Sequence, residues 1–270
     1  MPIFILALSQ TLDLKLFYAL GTFLIIHLLV YPASNGYNSY IDRDESPIGG
    51  LEKPPLPTKV LFHLTLLMDV LSISLSFILI NKLFSACILA YILASRAYSS
   101  KQIRLKKYPF FGFLIVVVFQ GAFTFFMCSV GISNSGLTFT SANIYIMLAC
   151  SLQIAGAYPL TQIYQYKEDY ADGVVTLSYK LGYKGTFIFT VVMFGVCNFF
   201  YYLFFNEVGK VNHFYILQLF FIPILIFFAY WFMKVSKNNS EANFKNTMRM
   251  NAIAAVCMNS YFIVLFILNH

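Results

Sequence analysis

The sequence predicts an all-α, polytopic membrane protein, and three observations support this prediction. The first is composition, because 59% of the 270 residues are hydrophobic and only 11% are charged, whereas a soluble domain carries about 25% charged residues. The second is a series of apolar runs, several of them longer than the roughly 18 residues that mark a membrane helix. The third is the way Lys and Arg are divided between the connecting loops.

Eight apolar runs are candidate transmembrane helices. They cover residues 16–34, 58–80, 83–99, 109–131, 142–160, 185–205, 213–233 and 248–268. The opening stretch "MPIFILALSQ" is apolar but too short to span a membrane, and it lacks the basic region of a signal peptide. We interpret it as a partial first helix that begins upstream of this chain; a wrongly assigned start or a naturally short helix would look the same.

The loop charges predict an orientation. If successive loops alternate sides, all but Lys15, Lys82 and Lys210 of the 18 Lys and Arg residues fall on one side. The positive-inside rule assigns that side to the cytoplasm. Topology and contact with anionic membrane lipids therefore account for the net charge of +7, and no nucleic acid partner is needed. We expect a single membrane-embedded domain over residues 1–270, in a bacterial inner (plasma) membrane; the oligomeric state stays undefined.

Two polar clusters share one spacing. The first consists of Asn38, Asp42 and Glu45, and the second of Gln165, Asp169 and Asp172. Each has an amide, an acid four residues later and another acid three residues after that, so in a helix the three side chains share one face. The recurrence of this pattern predicts two pseudo-repeat halves, about 1–133 and 134–270.

These side chains suit a magnesium–diphosphate site. Carboxylate and amide oxygens are hard ligands of the kind that Mg²⁺ prefers, together with substrate phosphates. The candidate phosphate-binding cations are Arg96, Lys101, Arg104, Lys106 and Lys167. Alternatively, the acids are solvated anchors at helix ends, and the basic stretch "SRAYSSKQIRLKK" is only a topology signal. Three charged segments on one predicted face favour the polyphosphate site.

Asp69 lies in the middle of a predicted span. Because an acid inside a membrane is costly, it is a functional candidate. It could hydrogen-bond a substrate or accept a proton, or it could bond a Ser or Tyr of a neighbouring helix and only order the bundle.

The segments "NSYIDRDES" and "YQYKEDYADGVVTLSYKLG" resemble the two acidic motifs of the UbiA superfamily of intramembrane prenyltransferases. The likeness extends over nearly the whole chain and includes the "YSSKQIRLKKYP" loop. Asn38 and Asp42 match the first motif, NxxxDxxxD, whose last position is Ser46 here. Asp169 matches the later acid of the second motif, DxxxD, whose earlier position is Gln165.

The resemblance implies nine helices around a central cavity, here eight plus the partial one. It implies that Asp42, Asp169 and Asp172 are catalytic, with Glu45 and Asp172 compensating for the two departures and Asp44 and Glu168 in reserve. Mg²⁺ would ionise an allylic prenyl diphosphate, and an aromatic or lipid acceptor would take the isoprenyl group. Tyr37, Tyr40 and Tyr98 could stabilise the allylic cation.

Two other classes remain open at this point. A secondary transporter would also have internal repeats and an intramembrane acid, although transporter sites usually lie near the midplane and not at the rim. A non-catalytic prenyl-lipid-binding relative of the enzyme would account for Ser46 and Gln165.

Overall fold

The computed structural model describes residues 1–43, 45, 47 and 49–270, and these residues form an all-helical bundle. Its helices are α1 (Pro2–Ser9), α2 (Leu16–Asp42), α3 (Lys59–Ile80), α4 (Lys82–Ser99), α5 (Pro109–Ser133), α6 (Ser141–Thr161), α7 (Tyr166–Ala171), α8 (Leu177–Glu207), α9 (Val211–Lys237) and α10 (Phe244–Asn269). Every predicted run coincides with one of these helices, apart from Thr58, which precedes α3, so the fold-class prediction is confirmed.

Seven of the helices are long and apolar enough to cross a membrane. They are α2, α3, α5, α6, α8, α9 and α10. The remaining predicted span, 83–99, is helix α4, which has 18 residues and contains the charged side chains of Lys82 and Arg96. Within the described ranges, length and composition therefore support seven spans, and the eighth, α4, stays a prediction. The chain is an integral membrane protein.

Four helices begin at a polar residue that caps the first turn. The capping side chains are those of Asn81, Thr140, Thr176 and Asn243 at the starts of α4, α6, α8 and α10. In α4, for example, Asn81 Oδ1 accepts a hydrogen bond of 2.7 Å from the backbone N–H of Phe84. An amide or hydroxyl oxygen satisfies an N–H that has no partner within the helix.

Helix α1 packs between the last helix and a helix from the middle of the chain. Helix α1 packs against both α10 and the second half of α5, and its Leu6 and Ala7 are fully buried. Asn269 Nδ2 donates a hydrogen bond of 2.8 Å to the Ser9 carbonyl, which fixes the end of α10 to the end of α1. The pseudo-repeat halves, about 1–133 and 134–270, stay a prediction.

Helix α5 contains a π-helical turn at Val118–Ala122 that is built by contacts with α6. Ser151 Oγ donates to the Val117 carbonyl at 3.0 Å and accepts from the Ala122 N–H at 3.0 Å. A Cβ on Gly121 would lie 2.4 Å from the Ser151 Cα, so only glycine lets the two backbones come this close. Such π turns are rare and are frequent at functional sites.

Replacing Gly121 with Ala should therefore destabilise the bundle by about 1–3 kcal/mol, because the added methyl group meets backbone that cannot move aside. Thermal unfolding in detergent measures the effect. Gly195, in α8, is the matched control, since a Cβ there meets nothing within 4 Å. Gly195→Ala should raise stability by about 0.5–1 kcal/mol through its better helix propensity. Equal effects of the two substitutions would contradict the close-contact argument.

Candidate functional site

The first polar cluster lies at the last turns of α2. Helix α2 ends at Asp42 because Arg43 adopts a left-handed conformation with φ 55°. Asn38 and Asp42 are therefore on successive turns of one helical face, as predicted. Asn38 is fixed from the neighbouring helix by Ser99, whose Oγ donates a hydrogen bond of 2.7 Å to Asn38 Oδ1.

Glu45 is not on that face. The helical argument for Glu45 is wrong, because the left-handed Arg43 ends the helix before it and the Glu45 side chain is exposed. Its role as a metal ligand stays a prediction without that support. Asp44, the reserve acid, and Ser46, at the last position of the first motif, lie outside the described residues.

Asp42 is buried and paired with a cation. Its side chain is only 3% exposed, and its Oδ2 forms an ion pair with Lys106 Nζ. Its other oxygen, Oδ1, is buried and has no hydrogen-bond partner among the described residues. A buried carboxylate oxygen left unsatisfied is costly, so this position is suited to a further cation.

The second cluster occupies the short helix α7. The backbone N–H of Asp169 donates to the Gln165 carbonyl at 2.9 Å, and that of Asp172 donates to the Glu168 carbonyl at 3.0 Å. Helical hydrogen bonding thus continues from Gln165 to Asp172, as a shared face of this cluster requires. Gly173, with φ 68°, then ends the turn.

The segment between α4 and α5 contacts both clusters. Lys106 pairs with Asp42, and Arg104 Nη2 lies 3.7 Å from Asp172 Oδ2. Arg104 itself is in a left-handed conformation, with φ 46°. This basic segment, residues 100–108, therefore joins the two acidic motifs. Lys101 and Lys167, the other two predicted cations outside the membrane helices, are exposed.

Arg96 lies elsewhere than expected. It belongs to α4, not to the basic segment, and pairs with Asp69 of α3. Its guanidinium also lies over the Tyr37 ring, 3.9 Å from the centroid. Asp69 thus bonds a neighbouring helix, as the bundle-ordering alternative expects, but its partner is Arg96 and not a Ser or Tyr. A substrate-binding or proton-accepting role for Asp69 stays a prediction. A diphosphate-binding role for Arg96 stays a prediction, and it competes with this pair.

Tyr166 anchors the second motif to the next helix. Its hydroxyl donates to the Ser178 carbonyl at 2.7 Å and lies 3.2 Å from Thr186 Oγ1. Burial raises the pKa of Tyr166, so the phenol remains protonated and can donate this hydrogen bond. The anchor fixes the start of α7 against α8 and so holds Asp169 and Asp172 in place.

A cavity of about 450 Å³ opens beside the first motif. Its walls come from α2, α3, α4, α5 and α6, and the Pro-rich segment 49–57 covers one side. Asn38 and Ser99 line it near the acids, whereas Tyr91 and Phe119 line it deeper in the membrane. A polar entrance beside the first acidic motif thus leads into an apolar interior.

Three further polar side chains of this site were missed in the sequence. The hydroxyls of Tyr98 and Tyr158 are hydrogen-bonded to each other, and Gln162 Nε2 donates to the Tyr158 hydroxyl at 3.0 Å. Gln120 lines the cavity from the π turn of α5. The available signal for Tyr158 and Gln162 was their spacing of four residues at the end of the span that leads into the second motif.

Comparison with known proteins decides the family. The model of the UbiA prenyltransferase family matches residues 1–253. The chain belongs to this family. A search of curated proteins finds no match.

Solved structures of UbiA proteins share the fold over nearly the whole chain. A UbiA homologue from Archaeoglobus fulgidus bound to DMAPP and Mg²⁺ has a TM-score of 0.66 at 14% identity, covering 98% of this chain and 93% of that one. Another structure of a homologue from that organism has a TM-score of 0.62 at 15% identity, covering 98% and 94%. A structure concerning digeranylgeranylglyceryl phosphate synthase has a TM-score of 0.63 at 18% identity, covering 98% and 90%.

The donor set at the UbiA motifs fits a magnesium ion. Among the described residues, no group of three His, Cys, Asp or Glu side chains is arranged to hold a metal. Mg²⁺ needs fewer protein ligands than that, because waters and substrate phosphates usually complete its shell. The unsatisfied Asp42 Oδ1 and the amide oxygen of Asn38 are hard donors one helical turn apart.

The Asp69–Arg96 pair should contribute to stability in a way that a double variant reveals. Asp69→Asn leaves the Arg96 charge buried without a counterion, so we expect a loss of about 3–5 kcal/mol. Replacing both partners with apolar residues, Asp69→Leu with Arg96→Met, removes both charges and should restore most of this loss. Thermal unfolding in detergent compares the variants. A double variant less stable than Asp69→Asn would contradict this account.

Proposed function

We propose that this UbiA protein is an intramembrane prenyltransferase that moves an isoprenyl group from an allylic prenyl diphosphate to an aromatic or lipid acceptor. The observation that carries the proposal is the pairing of Lys106 with Asp42 and of Arg104 with Asp172, next to a cavity that Asn38 of the first motif lines. Carboxylates that suit a metal ion thus lie beside cationic side chains that suit a diphosphate. The relative that binds DMAPP and Mg²⁺ adds support through its shared fold.

The acidic residues have the role of metal ligands in this proposal. Asp42, Asp169 and Asp172 would hold Mg²⁺ with Asn38, while Glu45 and Gln165 are further candidates. The bound metal would supply positive charge to the diphosphate and so make it a better leaving group.

The basic segment has the complementary role. Lys106 and Arg104 neutralise the two carboxylates, and in this proposal they turn to the phosphate oxygens when the diphosphate binds. Arg suits bidentate phosphate contacts and Lys acts as a point charge. Lys101 and Lys167 are exposed nearby in the sequence and would add to the positive field.

The cavity would protect the allylic cation from water. Its interior wall of Tyr91, Val116 and Phe119 excludes water, which would otherwise capture the cation. The faces of aromatic rings can stabilise the positive charge, and Tyr98 lies between the motif end and this wall. The C–O bond would break first, with its electron pair leaving on pyrophosphate. The acceptor's nucleophilic atom would then bond the allylic carbon and give up its proton to the departing pyrophosphate.

The transporter alternative loses its main support. Asp69 was the residue that favoured it, and Asp69 is neutralised by Arg96 instead of facing the cavity. A non-catalytic prenyl-lipid-binding relative remains the second candidate, since Gln165 replaces an acid of the family motif.

The decisive experiment is pyrophosphate release by the purified protein in detergent. It is given a prenyl diphosphate, a panel of aromatic and lipid acceptors, and either Mg²⁺ or EDTA. We expect Mg²⁺-dependent, acceptor-dependent release, and a loss of at least about 100-fold in Asp42→Asn and Asp169→Asn, since each removes a carboxylate that would hold the metal ion acting on the leaving group. Binding of the diphosphate without release across the panel would favour the non-catalytic relative. Normal release in both variants would contradict the metal site.

The Lys106–Asp42 pair predicts opposite effects on two ligands. In Lys106→Ala the ammonium no longer competes for Asp42, so Mn²⁺, used as a spectroscopic substitute for Mg²⁺, should bind about tenfold tighter in the absence of substrate. Prenyl diphosphate should bind more weakly, because a phosphate-binding cation is lost. Electron paramagnetic resonance and calorimetry measure the two affinities.

The adjacent Lys107 provides the matched control, because it is exposed and carries the same charge. Lys107→Ala should leave both affinities within about twofold of the wild-type values. If the two lysine variants change metal binding equally, a general charge effect explains the result and the specific pair does not.

A further inference from the structure

The cavity ends within the membrane at a wall of aromatic side chains. Along α4 its lining runs from Ser99, beside the first motif, to Tyr91, a distance of about 12 Å at the rise of an α-helix. Along α5 the deepest lining residues are Phe119 and Gln120. These three residues, Tyr91, Phe119 and Gln120, form what we call the cavity floor.

The two aromatic rings of the floor are supported from behind. The Tyr91 and Phe119 rings contact each other with centroids 6.5 Å apart. Phe119 packs on Phe123 at 4.8 Å, and Tyr91 packs on Tyr31 at 5.8 Å. Neither Phe123 nor Tyr31 lines the cavity. A ligand that pushed into the floor would therefore have to displace two layers of packed rings, which resist compression.

The position of Phe119 and Gln120 depends on the π turn of α5. Ser151 holds that turn open by bonding the Val117 carbonyl and the Ala122 N–H, and Gly121 permits the close approach. The extra residue of a π turn rotates the side chains around it relative to the preceding helix. Both floor residues of α5 lie within this turn.

Gln120 makes the floor unsuitable for hydrocarbon. Its amide makes no hydrogen bond to the described part of the protein and is exposed towards the cavity. A prenyl chain pressed against it would remove the amide from water and supply no hydrogen bond in return, which is unfavourable. The deep end thus resists a longer chain by shape and by polarity.

We propose that the cavity floor limits the prenyl donor to a short chain, dimethylallyl or geranyl, and excludes geranylgeranyl. Each isoprene unit adds four carbon–carbon bonds along the chain, or about 5 Å when extended, given bond lengths near 1.5 Å. A path of about 12 Å therefore accommodates two units. The inference rests on the proposed function, because it places the diphosphate at the motif end of the same cavity.

The test compares the binding of dimethylallyl, geranyl, farnesyl and geranylgeranyl diphosphates to the purified protein with Mg²⁺, by calorimetry in one detergent. Phe119→Ala opens the floor, and Gln120→Leu removes its polarity while keeping its volume. Phe126→Ala is the matched control, because Phe126 lies in the same helix and does not line the cavity. Ratios between variants cancel the different partitioning of the chains into detergent.

We expect Phe119→Ala to raise the affinity for geranylgeranyl diphosphate relative to geranyl diphosphate by at least about tenfold, and Gln120→Leu to raise it by about threefold. Phe126→Ala should leave the ratio unchanged. If Phe119→Ala does not fold, Gln120→Leu alone decides the question. Unchanged ratios in the floor variants would overturn the proposal while leaving the prenyltransferase function intact. If none of the four diphosphates binds to the wild type, both the chain-length proposal and the proposed prenyltransferase function are overturned.

Discussion

The buried carboxylate of Asp42 is the constraint on which the site depends. With 3% of its side chain exposed, it requires a positive partner, and Lys106 supplies one. This requirement draws the segment between α4 and α5 across the end of the bundle. Arg104 of the same segment then reaches Asp172, so one charge requirement brings two motifs distant in sequence to a common basic segment.

Contacts between α2 and α4 continue from the first motif into the membrane-embedded part of the bundle. The hydroxyls of Ser34 and Ser95 are hydrogen-bonded at 2.6 Å, and Ser99 bonds Asn38 four residues further along each helix. Between these two contacts the Arg96 guanidinium lies over Tyr37. The wall of the cavity and the support of the first motif are therefore the same pair of helices.

Sequence patterns could predict what depends on composition and local spacing. They predicted the apolar helices, the shared face of Asn38 with Asp42, and the helical second motif. They failed where the position of a side chain depends on a single backbone conformation or on a partner distant in sequence. The left-handed Arg43 removes Glu45 from its predicted face, and the counterion of Asp69 lies on another helix. The π turn of α5 depends on Ser151, which is distant in sequence, so no local pattern revealed the floor.

The ion pair of Asp69 with Arg96 also bears on how the chain enters its membrane. A lone Arg or Asp at the centre of an inserting helix costs about 2.5–3.5 kcal/mol on the insertion scale. Helices α3 and α4 are joined by Asn81 alone, so they form a tight helical hairpin. If the hairpin inserts as one unit, the two charges are paired before either meets lipid. Asp69 of α3 then neutralises Arg96 of α4, which is the least apolar of the long helices.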